Sequence, residues 1–337
     1  MLMQRYAFFL IVLFFFSGCG DQKENECVVV PDTEGIRVDV NFEQFHDSLA
    51  NLSSKQELVD LFSRQPVLRD VIFRRGAYPD DSVFINKIYS RLQNPHIDTL
   101  LAETNRIFGD LSDLENQFEE AFRNLKHYYP SFNPPKIQTV ISGLDTDMFV
   151  SDSLIIVGLD YYLGNDARFR PQVYDYQLRK YDPNDIVPSL LLIYGINDSI
   201  NKTDLADKTV LADMIAYGKS FYFAKHMLPC VADSVFIWYT PEEINGSRKN
   251  QDLIWARFIE SQVLYSTSHM VKKDYLAERP ITVQVGEKCP GRIGQWVGWQ
   301  IVKKYMDTHP DRSLQQLMAA QDAQQLFKES NYKPRKR

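Results

Sequence analysis

The sequence predicts an α+β protein in which helices dominate, because the hydrophobic period changes twice along the chain. From the end of the stretch 35–45 to about residue 129, apolar residues recur at helical spacing. Two stretches rich in β-branched residues, 136–143 and 147–160, follow and are typical of strands. Helical spacing returns from about residue 185. The expected fold therefore has a helical front, a small sheet and a set of packed C-terminal helices.

Local signals define the elements of the first half. Residues 36–40 are predicted to form a short strand that leads into a helix. Ser112 and Glu115 have the spacing of a capping box at the start of another helix. Residues 151–153, Ser-Asp-Ser, are a turn signal between two pieces of strand, so these pieces are expected to form a hairpin.

The second half is predicted to contain helical stretches that pack on one another. They are 186–197, 204–228, 252–271 and 289–306. In the last of them Gly294 and Gly298 are four residues apart and therefore share a face. We expect these glycines to allow a close approach to a neighbouring helix inside the domain.

The N-terminus has the pattern of an exported lipoprotein. Arg5 precedes an apolar run over 6–16, which is shorter than the roughly 20 residues of a membrane-spanning helix. The run ends in Phe-Ser-Gly-Cys, which resembles the bacterial lipobox. The resemblance implies a signal peptide over 1–18 and acylation of Cys19, which would attach the chain to the lipid bilayer. Residues 19–34 are then expected to form the lipidated N-terminus and a polar tether.

The rest of the chain is predicted to be one domain over 35–330, followed by a basic tail over 331–337, because no repeat or linker interrupts it. The formal net charge is −6. Basic residues are dispersed outside the tail, so a nucleic-acid partner is not expected.

Cysteine usage leaves one question open. With Cys19 acylated, Cys27, Cys230 and Cys289 remain, so at most one disulfide forms and one thiol stays free. The sequence does not determine the pairing. Their spacing matches no zinc motif.

Three motifs carry a family resemblance. They are YGKSFYFAKHMLP (217–229), IWARFIESQVLYST (254–267) and GRIGQWVGWQIVKKYM (291–306), in this order behind the lipobox. Together they resemble the gliding-motility lipoprotein B (GldB) family over nearly the whole mature chain. The resemblance implies a distant relation to zinc metallopeptidases, and hence a zincin-like domain with a cleft. It also implies a role beside the gliding machinery and the secretion system coupled to it.

The chain lacks the motif that catalysis in such a cleft requires. Zincins use H-E-x-x-H, because histidines four residues apart bind one metal ion while the glutamate activates the bound water. The expected place instead holds PSLLLIYGIN (188–197), and Tyr217 precedes Gly218 where a glutamate ligand is expected. We therefore predict no metal ligand, no cofactor and no catalytic residue, and expect the protein not to be an enzyme.

A groove that binds a ligand is still a hypothesis. Its candidate residues are Tyr217, Glu260, Arg292, Trp296 and Trp299. The indoles are interpreted as core residues; the alternative is that one lines the cleft with Arg292, as an aromatic and guanidinium site for a peptide or glycan. Glu260 is interpreted as half of an ion pair, with Arg257 or with Arg292; the alternative is an acid or base role.

The triplet Asp-Ser/Thr-aliphatic occurs more often than composition predicts. It resembles the acceptor of a periplasmic O-glycosylation system of Bacteroidetes-type bacteria. The predicted acceptors are Ser48, Ser82, Thr99, Ser153, Ser199 and Ser234. A glycan on Ser153 requires that the hairpin turn be exposed.

The predicted function is that of a membrane-anchored, non-catalytic lipoprotein of the cell envelope, at the outer membrane, that binds partners of the gliding and secretion machinery. The side of the membrane stays open. One alternative is an envelope hydrolase with a carboxylate site around Glu260 or Asp213. The other is a lipoprotein that binds glycan or peptidoglycan through Trp296 or Trp299.

Overall fold

The computed structural model describes residues 27–28 and 30–334. The predicted signal peptide, Cys19 and the last three residues of the predicted basic tail lie outside the described residues. Helices dominate the described chain and a small sheet lies in its first half, so the predicted helical α+β class is confirmed.

The helices follow the chain with short connections. They are α1 (His46–Ala50), α2 (Lys55–Arg64), α3 (Asp81–Leu92), α4 (Pro95–Phe108), α5 (Ser112–Tyr128), α6 (Asp175–Leu178), α7 (Ile186–Ile196), α8 (Val210–Met227), α9 (Asp233–Ile237), α10 (Pro241–Lys249), α11 (Gln251–Glu260), α12 (His269–Leu276), α13 (Ile293–Thr308), α14 (Leu314–Ala319) and α15 (Ala323–Ser330). Short helical turns at Leu68–Ile72, Arg75–Ala77, Leu159–Tyr161 and Pro183–Asp185 complete the helical part.

The sheet has four strands in the order β1-β2-β4-β3. They are β1 (Phe42–Gln44), β2 (Lys136–Val140), β3 (Met148–Val150) and β4 (Leu154–Gly158). β1, β2 and β4 are parallel, and β3 pairs with β4 in the antiparallel sense, with Phe149 opposite Ile156. The hairpin and its turn at 151–153 are therefore confirmed.

The sheet separates two hydrophobic clusters, because successive side chains of a strand point to opposite faces. Ile155 and Val157 belong to the larger cluster, which contains most of the C-terminal helices. Ile156 lies between them in sequence and joins the smaller cluster, where Phe62 stacks on Phe84 with ring centroids 5.3 Å apart.

Helices α8 and α13 cross at two glycines. A Cβ atom on Gly298 would lie 1.9 Å from the Met214 carbonyl oxygen, and one on Gly218 would lie 2.4 Å from the Gly298 carbonyl oxygen. No side chain fits at these distances, so the crossing requires glycine on both helices. The close packing predicted for Gly298 is thus observed. A Cβ atom on Gly294 would likewise lie 2.9 Å from the Tyr275 carbonyl oxygen of α12.

Two expectations about local structure are wrong. The stretch 36–40 forms no strand; Val38 and Val40 pack on the larger cluster, and pairing with β2 begins at Phe42. The expected capping box is also absent, because the residue before α5 is Leu111 and the Asp110 carboxylate accepts the N–H of Ser112.

The expected helix over 252–271 is interrupted between α11 and α12. The carbonyl oxygens of Leu264 and Ser266 in this interruption accept the N–H groups of Leu211 and Val210. The irregular segment therefore supplies acceptors for N–H groups in the first turn of α8, because these groups have no acceptor within their own helix.

Both ends of the described chain are attached to the folded body. Cys27 forms a disulfide with Cys230, and the Val28 N–H donates to the Pro229 carbonyl oxygen. Residues 27 and 28 of the predicted tether are therefore held beside the C-terminal end of α8. Tyr332, which falls in the predicted basic tail, is buried against Trp255. Within the described residues, no helix combines the length and apolar character of a membrane span.

Candidate functional site

A groove of about 440 Å³ opens beside the N-terminus of α13. Its walls come from the start of β3, from α7 and α8, and from the segments before α10 and after α12. Most of the lining is apolar, including Met148, Leu192, Ile193, Ile196, Phe221 and Leu276. This size and composition are typical of ligand-binding clefts in proteins.

Helix α7 supplies the apolar rim of the groove. Its sequence, IVPSLLLIYGI, is apolar on nearly all sides, which predicts a helix that is covered all round. Leu190 and Leu191 are indeed buried, but Ile193 and Ile196 remain 43% and 40% exposed. Uncovered aliphatic surface of this kind beside a cleft favours contact with a partner.

Arg292 is the charged group of the groove wall. Its side chain is only 8% exposed, and its guanidinium lies 4.8 Å from the ring centre of Trp238 and 6.0 Å from that of Tyr239. One N–H donates to the Ile237 carbonyl oxygen. In the described part of the chain Arg292 forms no ion pair; Glu278 and Glu243 act on it only by longer-range attraction. Burial lowers the pKa of Arg292, yet a guanidinium keeps its charge in proteins.

Trp238 places a second unsatisfied donor at the groove. Its Nε1 atom is buried and has no acceptor among the described residues. Both Trp238 and Arg292 have positive φ angles, 53° and 58°, which are uncommon for residues with side chains. Strained backbone of this kind persists where the surrounding structure holds it, often at functional sites.

The other charged groups of the groove wall have different surroundings. Lys180 and Glu278 form an ion pair at 3.3 Å, and Glu278 also accepts from the Gln177 amide. Asp147 accepts the N–H of Met148 at 2.7 Å. Of the charged side chains that line the groove, Arg292 is thus the deeply buried cation without a carboxylate in contact.

Tyr217 and Arg292 are the predicted groove residues that the structure brings together. Burial raises the pKa of Tyr217, Asp213 adds to the rise, and the charge of Arg292 opposes it. Asp213, named for the hydrolase alternative, is bound by Lys272 at 2.7 Å.

The two predicted tryptophans lie in the core and not in the groove. Trp296 and Trp299 are 1% and 0% exposed, and Trp299 stacks on Phe221 with ring centroids 5.1 Å apart. The alternative that one of these indoles lines the cleft is therefore wrong. An indole does lie beside Arg292, but it is that of Trp238.

Glu260 also lies outside the groove. It is on α11, beside a second cavity of about 830 Å³, with a side chain that is 63% exposed. Its carboxylate binds Arg257 at 2.9 Å, so the predicted ion pair with Arg257 is confirmed. The alternative pairing of Glu260 with Arg292 is wrong, because the Glu260 side chain on α11 is exposed to solvent.

Sequence reasoning missed Trp238, Lys180 and Glu278. They lie in short segments between helices, far from Arg292 along the chain, and no local spacing connects them. A signal exists only for Trp238, an aromatic residue two positions before the capping box of Thr240 and Glu243. Among the described residues no three His, Cys, Asp or Glu side chains form a group that could hold a metal ion.

The predicted glycosylation sites differ in exposure. Ser48, Ser82, Ser199 and Ser153 are exposed, and Ser153 lies in the hairpin turn. Thr99 and Ser234 are half-buried, and Asp233, which precedes Ser234, is a buried residue bound by cations. Glycosylation remains a prediction.

Fold and groove together define a helical α+β protein with an apolar cleft and a buried arginine. The chain belongs to the family of gliding motility protein GldB, whose family model matches residues 26–334. This family associates the chain with gliding motility and with lipoproteins of the cell envelope. No curated protein and no solved structure matches it. The zincin-like relation remains a prediction.

Proposed function

We propose that this protein is a membrane-anchored, non-catalytic lipoprotein that holds a segment of a partner protein of the gliding machinery in the groove beside α13. The observation that carries the proposal is the uncovered aliphatic rim of Ile193 and Ile196 next to the buried cation Arg292. An apolar surface with a few placed polar groups is what peptide binding requires.

The groove chemistry supports binding more than catalysis. Its described lining includes no histidine and no cysteine. The Ser220 hydroxyl donates to the Leu192 carbonyl oxygen at 3.0 Å, so its proton is bound by a main-chain carbonyl and not by a side-chain base. Nucleophilic catalysis needs a nucleophile within reach of a base.

The disulfide supports anchoring close to the bilayer. Cys27 lies eight positions after the predicted lipidation site, Cys19. Because an extended residue spans roughly 3.5 Å, the Cys27–Cys230 corner would lie within about 30 Å of the acyl chains. A disulfide is also typical of exported proteins. Cys19→Ser should move the protein from the membrane fraction to the soluble fraction.

Complementation of a gliding strain that lacks its own copy tests the binding role. Ile193→Arg with Ile196→Arg should abolish gliding while abundance and membrane attachment stay normal, because the rim becomes charged. Leu253→Arg is the matched control, since Leu253 is an exposed aliphatic residue of the second cavity. Normal gliding by the double variant would disprove the role of the groove.

A further inference from the structure

We propose that the groove recognises an acidic side chain of an otherwise apolar peptide segment, with Arg292 and the Trp238 indole N–H as donors. This inference rests on the proposed partner-binding function and adds the chemistry of the bound segment. It follows from the hydrogen-bonding state of buried donors in the described chain.

Buried cations elsewhere in this protein have enough acceptors. Lys219 donates to the carbonyl oxygens of Lys202, Met318 and Ala320, at 2.7, 3.2 and 2.7 Å. Lys225 donates to the Val231 carbonyl oxygen at 2.5 Å and lies 3.9 Å from the Asp233 carboxylate. Such partners offset the loss of hydration that burial imposes on a charge.

Arg292 lacks partners of this kind in the described residues. A guanidinium has several N–H donors in a planar fork, and the bond to Ile237 uses one end of it. The fork fits the two oxygens of a carboxylate, which accepts two parallel hydrogen bonds. The missing acceptor is therefore best supplied by an anionic ligand in the groove.

Two further features favour a negative group at this point. The buried Nε1 atom of Trp238 finds no acceptor in the described part of the chain, and an unsatisfied buried donor costs free energy. Arg292 also occupies the position before α13, a helix of 16 residues whose N-terminus carries a partial positive charge. Guanidinium, indole and helix end thus favour an anion together.

The remaining lining indicates a peptide. Leu192, Ile193, Ile196 and Leu276 offer aliphatic contacts that suit apolar side chains on both sides of an acidic residue. A sugar would place hydroxyl groups against these surfaces and leave them without partners. Glu278 and Asp147 both repel an anion; the ion pair with Lys180 offsets the charge of Glu278, whereas Asp147 accepts the uncharged N–H of Met148. An acidic group is therefore best placed at Arg292.

Two peptides test the assignment on the full-length protein in detergent micelles. They are the N-acetylated, C-amidated pentapeptide Leu-Phe-Glu-Leu-Phe and its Gln counterpart. Isothermal titration should show at least about tenfold tighter binding of the Glu peptide, because a charged hydrogen-bonded pair forms only with it. Equal affinities would overturn the carboxylate assignment and leave the partner-binding role intact.

Three variants show which residues produce the preference for the Glu peptide. Arg292→Gln should abolish the preference for Glu, and Trp238→Phe, which removes the indole N–H, should reduce it. Arg257→Gln, at an exposed arginine of the second cavity, should leave it unchanged. If Arg292→Gln fails to fold, the affinities of Trp238→Phe for the two peptides are measured instead. An unchanged preference for the Glu peptide in that variant overturns the role of the indole.

Two other outcomes also overturn the inference. If neither peptide binds, the inference is overturned. The gliding assay of the variant with Ile193→Arg and Ile196→Arg then tests the proposed function separately. Tighter binding of an oligogalacturonate than of the Glu peptide would assign the groove to an acidic glycan.

Discussion

The interior of the α8–α13 pair and the groove at the N-terminal end of α13 differ in whether their buried charges have counter-ions. In the interior, the Asp233 carboxylate is bound by Lys303 at 2.5 Å and by Arg248 at 3.0 Å, and Lys225 lies at 3.9 Å. Burial alone would raise the pKa of Asp233, but these cations lower it. At the groove, Arg292 is buried and no carboxylate of residues 27–28 or 30–334 is in contact with it.

This difference separates a structural charge cluster from a binding site. A structural cluster satisfies its own members, so removing one member leaves the others unpaired and costs stability. A binding site leaves donors for a ligand, so removing one of them should cost binding. Both regions include residues of α13, and the contrast therefore lies in their partners and not in the helix itself.

The largest expected effect tests how tightly the interior is packed. Gly298→Ala should lower the free energy of unfolding by about 3 kcal/mol or more, because its Cβ would overlap the backbone of Met214. Gly246→Ala is the control; it lies within α10 with nothing within 4 Å of the added Cβ, and should stabilise by roughly 0.5–1 kcal/mol. Urea unfolding measures both. Similar losses in the two variants would mean that the crossing is not tight.

The second prediction sets the two regions against each other. Asp233→Asn should destabilise by about 3 kcal/mol, because the buried Lys225 loses its carboxylate. Arg292→Met should change stability by no more than about 1 kcal/mol, because the lost bond to Ile237 is offset by removal of a buried charge. Urea denaturation measures the free energy of unfolding of both variants. Equal losses would contradict the comparison.

The third prediction, the smallest when counted per pH unit, concerns Asp185 at the start of α7, a buried acid that no cation binds among the described residues. Burial, with repulsion from Asp182, raises the pKa of Asp185 to about 7, although a bond from the Asp182 N–H opposes the rise. The folded state therefore binds more protons than the unfolded state between about pH 4 and pH 7, since an unfolded aspartate titrates near 3.9. Stability should fall as the pH rises through this window, by up to about 1.4 kcal/mol per pH unit.

Asp185→Asn removes this titration. Unfolding at pH 5 and at pH 8 should therefore show a smaller decrease in stability for the variant than for the wild type. Parallel pH dependence of the two proteins would show that Asp185 has an ordinary pKa.

Several features were predictable from the sequence because they depend on residues close together in the chain. The hairpin and its turn at 151–153 follow from a change of hydrophobic period and a local turn signal. The glycine contact of Gly298 follows from helical spacing, and the pair of Glu260 with Arg257 joins residues three apart on one helix. The family follows from motifs long enough to be specific.

Only the tertiary structure determined the features that depend on distant residues. The choice of Cys27 and Cys230 as the disulfide joins positions 203 residues apart. The groove brings Arg292 to Trp238, Lys180 and Glu278, which share no spacing with it, and it leaves Trp296 and Trp299 in the core. Hydrophobic period shows which face of a helix is buried, but not which neighbour covers it. That no described carboxylate lies beside Arg292 depends on all the surrounding elements together, so no single stretch of sequence predicts it.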